Sequence, residues 1–447
     1  LSNHLRRALF NYDALVKEQS SPQENRHGVW KRLKDHPFSK FGPGLITGVA
    51  DDDPSGVVTY SQAGAQFGLN MLWTMPLAFP LMAAIQFICG LIGRVTGRGL
   101  AANIKDAFPP IILKGVVILL LVANTLNIAA DVAAMGEVGE LVTGMNSRIM
   151  TLLFVVATLL LQVFIPYHRY VFFLKWLTLS LLAYAAVLFT VHVPWHEVAI
   201  RTVWPKFTPN AQAATMVVAV FGTTISPYLF FWQASEEVEE MHRNQGKLPL
   251  LKDPTSAPKE VRRIQWDTWS GMFYSNITAY FIILATAVTL HAAGITDIQT
   301  ASQAANALRP LAGDLAFLLF AMGIIGVGLI GVPVLAGSAG YALSEAMGWK
   351  WGLERKLRDA RGFYGVIIIS VLAALGIQYS PINPMKALVW SAVINGVVAV
   401  PLMAVIILMA SKKSVMGDYT ASRPIVILGW IATAIMGVAA LGMLILG

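Results

Sequence analysis

Eleven times in these 447 residues the chain runs predominantly apolar over about the 20 residues that a helix needs to cross the hydrocarbon core of a bilayer. The runs fall near 42–67, 71–93, 111–143, 149–166, 170–194, 211–240, 267–293, 314–345, 363–379, 386–410 and 424–446. Inside lipid every backbone N–H and C=O must be bonded within the protein, and helices of this length do so segment by segment. Charge supports the same reading. Only 13% of the residues are charged, against about 25% in ordinary soluble domains. The expected fold is therefore an all-α polytopic membrane protein with eleven transmembrane helices.

The net charge of +8 does not imply nucleic acid, because the basic residues cluster in alternate short loops, as topology determinants do. Arg94, Arg98, Arg169, Arg243, Arg262, Arg263, Lys350, Arg355, Lys412 and Lys413 fall on one side of the predicted bundle. The opposite loops offer only Arg148, Arg201, Lys206, Arg309 and Lys386. This predicts a cytosolic N-terminus and an external C-terminus in an inner or plasma membrane. Residues 1–40 are polar and basic, unlike a secretory leader, and read as a cytosolic tail. The single cysteine, Cys89, excludes an intramolecular disulfide and any multi-cysteine metal site; its apolar helix makes it a packing residue.

Two spans contain features that a helix facing lipid avoids. Asp51-Asp52-Asp53-Pro54-Ser55-Gly56 interrupts the first, although one carboxylate at a helix centre already costs about 2.5–3.5 kcal/mol on insertion scales. Proline removes a backbone donor and glycine loosens the chain. An unwound stretch lining a polar cavity accounts for all of this. The sixth span repeats the design at Thr223-Thr224-Ile225-Ser226-Pro227-Tyr228. The interrupted helices open successive five-helix blocks, and an odd-numbered block followed by another is inverted in the membrane. That predicts a leucine-transporter-like inverted repeat, with a binding site between the broken helices. The core runs over about 41–410, with repeats at 41–195 and 210–410, followed by an eleventh helix within 411–447.

At these residues the chain resembles the Nramp family of divalent metal transporters, and within it the Nramp-related magnesium transporters. The likeness rests on Gly42-Pro43-Gly44 ahead of Asp53-Pro54, on Gly93-Arg94-Val95-Thr96-Gly97-Arg98, and on Gly222 through Ala234. The family's usual motifs there are Asp-Pro-Gly-Asn in the first span and Met-Pro-His in the sixth. The resemblance makes Asp53 the metal-binding carboxylate and Thr223 the source of a backbone carbonyl. Gly56 stands where the family's Asn ligand would be, Ser226 replaces its Met, and Tyr228 replaces its first His. Thioethers favour soft transition metals, whereas carboxylate, carbonyl and hydroxyl oxygens suit hard cations. Mg²⁺ dehydrates reluctantly and keeps several waters, which a wider pocket accommodates. The expected cargo is thus Mg²⁺, with Mn²⁺ tolerated, and an ordinary proton-coupled Mn²⁺/Fe²⁺ transporter is the alternative.

Coupling is the second departure. Asp131 is retained in the third span, but Ala134 stands where another acid is expected, and Gln233 replaces the second histidine. Neither tyrosine nor glutamine exchanges protons near neutral pH, so uptake without proton coupling is expected. Asp131, Asn127 and Asn124 share a helix face, either as a pathway wall or as an interhelical hydrogen-bond set. Glu237 lies on one face with Ser226, Phe230, Gln233 and Glu240, either lining an exit or forming a solvated interfacial face. Asp51 or Asp52 is expected to see the hydrated ion, and Asn395 is a further pathway candidate.

The chain is not read as an enzyme. Asp53 and Asp131 are the nominal pair for an intramembrane aspartyl protease, but the Gly-x-Gly-Asp pattern is missing. An amino-acid carrier would place amides, not aspartates, at the break. No cofactor, nucleic acid or obligatory protein partner is expected; the partners are divalent cations and the bilayer.

Overall fold

The computed structural model describes residues 43–165, 184–185, 188–189, 191–206, 210–243, 247–298, 301–380 and 384–446. The expected 1–40 tail, and most of the expected fifth span at 170–194, lie outside the described residues. Every regular element among the described residues is helical. The first span is two half-helices, α1 (Pro43–Asp51) and α2 (Pro54–Phe67). Next come α3 (Thr74–Thr96), the short α4 (Leu100–Ala107), α5 (Pro110–Thr143), α6 (Ser147–Phe164) and α7 (Trp195–Val203). The sixth span is likewise split into α8 (Ala211–Thr224) and α9 (Pro227–Arg243). It is followed by α10 (Ala257–Thr286), α11 (Ala301–Met347), α12 (Arg361–Gln378), α13 (Pro384–Ser411), the single turn α14 (Lys413–Met416) and α15 (Arg423–Leu446).

Both breaks fall at the expected motifs, and the prolines explain their form. Pro54 opens α2 and Pro227 opens α9, the first-turn position where a missing N–H costs nothing. Asp53 completes the first break by capping α2, its side chain accepting from the Gly56 amide. The three long expected spans behave differently. The third is one uninterrupted helix, the sixth is broken, and the eighth is the tail of α11 beyond a non-helical Gly313 at φ 82°.

Among the described residues nine helical stretches are long and apolar enough to cross a membrane, counting α8 and α9 together. The broken first span adds its two halves. Large apolar side chains project from the outside of the bundle, among them Ile118 on α5 and Val438, Leu441 and Leu444 on α15. Water would penalise that surface; lipid does not.

Inside the bundle small residues set the distances between helices, as is usual where lipid removes the hydrophobic drive for helix association. Gly44 and Gly48 lay α1 on the backbone of α10: a Cβ on Gly48 would collide with the Gly271 carbonyl. The Gly44 amide donates to Asp267 at 2.8 Å across the same contact. Gly222 and Gly396 bring α8 against α13 in the same way. Because the obstacle at Gly48 is backbone, Gly48→Ala is expected to lower stability by about 2 kcal/mol, within the usual range for overpacking. Thermal unfolding of the detergent-solubilised chain checks this, with Gly115→Ala, which meets nothing, as the neutral control.

One boundary differs instructively. The seventh span was expected from residue 267, but α10 begins at Ala257, ten residues earlier, because its charges are paired inside the protein. Arg263 binds Glu237 at 2.5 Å and Glu260 at 3.1 Å. Glu260 also meets buried Arg94 at 3.4 Å and Lys247 at 3.0 Å. Hydropathy marks these residues as loop; ion pairing makes them helix.

Candidate functional site

The two breaks lie side by side, and Tyr228 joins them. Its hydroxyl, on the first turn of α9, lies 3.2 Å from Asp53 Oδ2 and 3.1 Å from the Ala50 carbonyl oxygen at the end of α1, and donates toward both. Asp53 Oδ1 accepts from the Gly56 amide at 2.7 Å and the Ser55 hydroxyl at 2.6 Å. All of these groups are buried. A carboxylate taken out of water is retained only with hydrogen bonds or a counter-charge. Asp53 has three donors and, among the described residues, no cationic side chain within ion-pair distance.

Gly56 sits where oxygens converge. A Cβ there would lie 3.2 Å from the Asp51 carbonyl oxygen, 3.3 Å from Asp53 Oδ1 and 3.3 Å from the Thr223 hydroxyl. The missing side chain thus lets a carbonyl, a carboxylate and a hydroxyl oxygen converge on one point. Ser226 is turned differently from the expectation. Its hydroxyl lies 2.7 Å from both the Gly222 and the Thr223 carbonyl oxygens, capping the end of α8. It therefore offers a cation only its lone pairs, and it engages the Thr223 carbonyl that the resemblance marks as a ligand. Tyr60 and Thr224, 3.1 Å apart through their hydroxyls, tie α2 to α8 beside the site.

Asp131 approaches from α5. Its Oδ1 accepts from the Ser55 amide at 2.9 Å, so Ser55 links Asp53 and Asp131. Its Oδ2 is buried without a hydrogen-bond partner, beside Gly331 on α11. Gly331 also lets α11 close on Asp53, whose Cβ would be 3.0 Å from a Cβ at that position.

Asp51 and Asp52 share a partner that the sequence reading missed. The Ser275 hydroxyl on α10 lies 2.5 Å from Asp51 Oδ2 and 3.1 Å from Asp52 Oδ1. The other oxygen of each carboxylate is buried and unpartnered. The only sequence signal was a small hydroxyl within an apolar run. One turn back on α1, Thr47 donates to Gln233 Oε1 at 2.5 Å, while Gln233 Nε2 has no partner. One turn further along α9, Glu237 corrects the expectation of a solvated face: it is fully buried and paired with Arg263. Its neighbours Glu236 and Glu239 are buried as well, both accepting from Tyr341 on α11.

Asn124 resolves as structural, donating to the Leu335 carbonyl and to Ser338, each at 2.8 Å. Asn127 and Asn395 are buried with unpartnered Oδ1 atoms, and no hydrogen bond among the described residues brings either to Asp53. Trp390 lies on the outside, 63% exposed. Cys89 is buried, as a packing residue should be.

The site can be set beside known proteins. Residues 44–446 match the family model described as natural resistance-associated macrophage protein-like. A divalent metal cation transporter MntH of Acidiphilium cryptum is 26% identical over 401 residues, spanning 86% of this chain and 84% of its own. The crystal structure of a manganese transporter of Eremococcus coleocola, in complex with an aromatic bis-isothiourea substituted compound, superposes with a TM-score of 0.70 at 18% identity, covering 94% of this chain and 87% of that one. The crystal structure of MhsT in complex with L-phenylalanine superposes with a TM-score of 0.61 at 12% identity, covering 90% of this chain and 97% of that one. The fold is thus that of the leucine-transporter class. Split first and sixth helices meeting at a buried aspartate, within a family match that spans the bundle, make this chain a member of the Nramp family of membrane transporters and not an enzyme.

Proposed function

We propose that this protein imports a hard divalent cation, Mg²⁺ foremost and Mn²⁺ secondarily, as a partly hydrated ion held between the two breaks. The relatives above are named for divalent metals and manganese, which supports a divalent cargo. One observation carries the finer reading: the three atoms nearest the missing Gly56 side chain are all oxygens, from Asp51, Asp53 and Thr223. Such a donor set suits hard cations, and few direct ligands suit an ion that binds at about 2.0–2.1 Å and keeps its waters.

In this reading Asp53 supplies the charge, while Thr223, Ser226 and Tyr228 supply hydroxyl and carbonyl oxygens. Asp52, Gln233 and Glu237 line the way to the side read as cytosolic. Asp131, with Asn127 and Asn395, borders the pathway from α5 and α13. Inward movement of a divalent ion gains roughly 4.6 kcal/mol per 100 mV of membrane potential, which is enough without protons.

A second reading is an ordinary proton-coupled Mn²⁺ transporter. The relatives' names favour it, as does the direct link from Asp53 through Ser55 to a second buried carboxylate, Asp131. Proteoliposomes loaded with Mg²⁺- and pH-sensitive dyes distinguish the two. Saturable Mg²⁺ influx with unchanged internal pH is the expected result. Mn²⁺ influx with acidification, and no Mg²⁺ influx, would transfer the assignment to the second reading.

A further inference from the structure

Away from the broken helices, a cavity of about 440 Å³ opens at the end of α9, under the segment joining α11 to α12. Its lining includes Glu239, Arg243, Trp349, Lys350, Trp351 and Arg355. The walls are held in place. The Trp349 ring lies over Gly362, and Trp351 packs edge-on against Tyr341 with ring centroids 5.4 Å apart. Glu239 pins the segment from below, its Oε1 accepting from the Leu353 amide and the Tyr341 hydroxyl, each at 2.7 Å. The segment can come this close because Gly352, at φ 134°, has no side chain: a Cβ there would sit 2.9 Å from that same oxygen.

The charges then sort themselves. Arg243 and Glu354 pair with each other at 3.2 Å. Lys350 and Arg355 make no ion pair among the described residues. Glu239 is buried, and its second oxygen, Oε2, has no hydrogen-bond partner. Besides His242 and the Arg243–Glu354 pair, the cavity is therefore lined by one deep carboxylate, two indoles, and the cations Lys350 and Arg355. A buried carboxylate beside aromatic faces suits an ammonium; lysine and arginine suit a phosphate. Tryptophan with lysine or arginine at the end of a spanning helix also marks the level of lipid head groups.

We propose that this cavity binds a phosphoethanolamine group, presented by phosphatidylethanolamine of the surrounding bilayer, with the ammonium at Glu239 and the phosphate between Lys350 and Arg355. The bound head group bridges α9, which carries Tyr228 and Gln233 from the metal site, to the segment after α11.

Thermal unfolding of the full-length chain in detergent, titrated with dihexanoyl-phosphatidylethanolamine, dihexanoyl-phosphatidylglycerol or free phosphoethanolamine, tests this. The ethanolamine lipid should stabilise saturably, and more strongly than the glycerol lipid, which lacks the ammonium. Lys350→Ala combined with Arg355→Ala should weaken its apparent affinity about tenfold, the scale of losing charge-assisted hydrogen bonds. Glu239→Gln, which keeps an oxygen for Leu353 and Tyr341, should abolish the preference between the two lipids. If that variant unfolds without lipid, the double variant at the rim still decides. Stabilisation by free phosphoethanolamine would locate recognition in the head group alone, and a response to the lipid only would add the acyl chains; either outcome upholds the site. Equal stabilisation by the two lipids in the wild type, or an undiminished response in the double variant, overturns it.

Discussion

Asp53→Ala should lower Mg²⁺ influx into proteoliposomes by a hundredfold or more. The substitution removes the charge at the break and strands three donors, the Gly56 amide and the Ser55 and Tyr228 hydroxyls, in a buried site. A hydrogen bond to a charged group is worth about 1.5–3 kcal/mol, and each 1.4 kcal/mol is a factor of about ten in affinity. Asp53 also caps α2, and losing a cap costs about 0.5–2 kcal/mol of stability. Asp53→Asn separates the two roles. Asparagine caps as well as aspartate and still accepts from Gly56, but it brings no charge to the cation. That variant should unfold near the wild-type temperature and yet transport almost nothing. Wild-type flux in Asp53→Asn would remove Asp53 from the metal site and leave it as a cap.

Gly56→Asn combined with Ser226→Met should reverse the preference between Mg²⁺ and Mn²⁺, with relative flux shifting toward Mn²⁺ by about tenfold or more, a change of about 1.4 kcal/mol. The geometry admits the asparagine at a modest cost. Gly56 has no positive φ, so its backbone accepts asparagine, and the oxygens at 3.2–3.3 Å around its Cβ position need yield only slightly. Asparagine would put an amide where the three oxygens now converge. Methionine would replace a hydroxyl now turned onto the end of α8 with a thioether, which prefers the softer ion. Competition of Mn²⁺ against Mg²⁺ uptake, in wild type and double variant, measures the shift. An unchanged ratio would show that the missing thioether is not what sets selectivity, and that the three converging oxygens alone do not explain the cargo.

What the sequence by itself determined is what depends on neighbours along the chain. Apolar runs about 20 residues long demand helices in lipid wherever they occur, and consecutive aspartates ahead of a proline cannot continue one. The breaks near Asp53 and Ser226 were therefore legible from residues within a few positions of each other. The tertiary structure alone decided the partners. Tyr228 reaches Asp53 across 175 residues, and Ser275 reaches Asp51 across 224; neither pairing leaves a local trace. The same holds for charge. Glu237 looked like a solvated face because hydropathy prices a carboxylate alone, whereas Arg263, supplied by another helix, lets it stay buried. Pairing also carried α10 back to Ala257, past residues that read as loop. Whether a polar group in a membrane protein is exposed, structural or functional depends on what is packed against it, and only the folded chain contains that information.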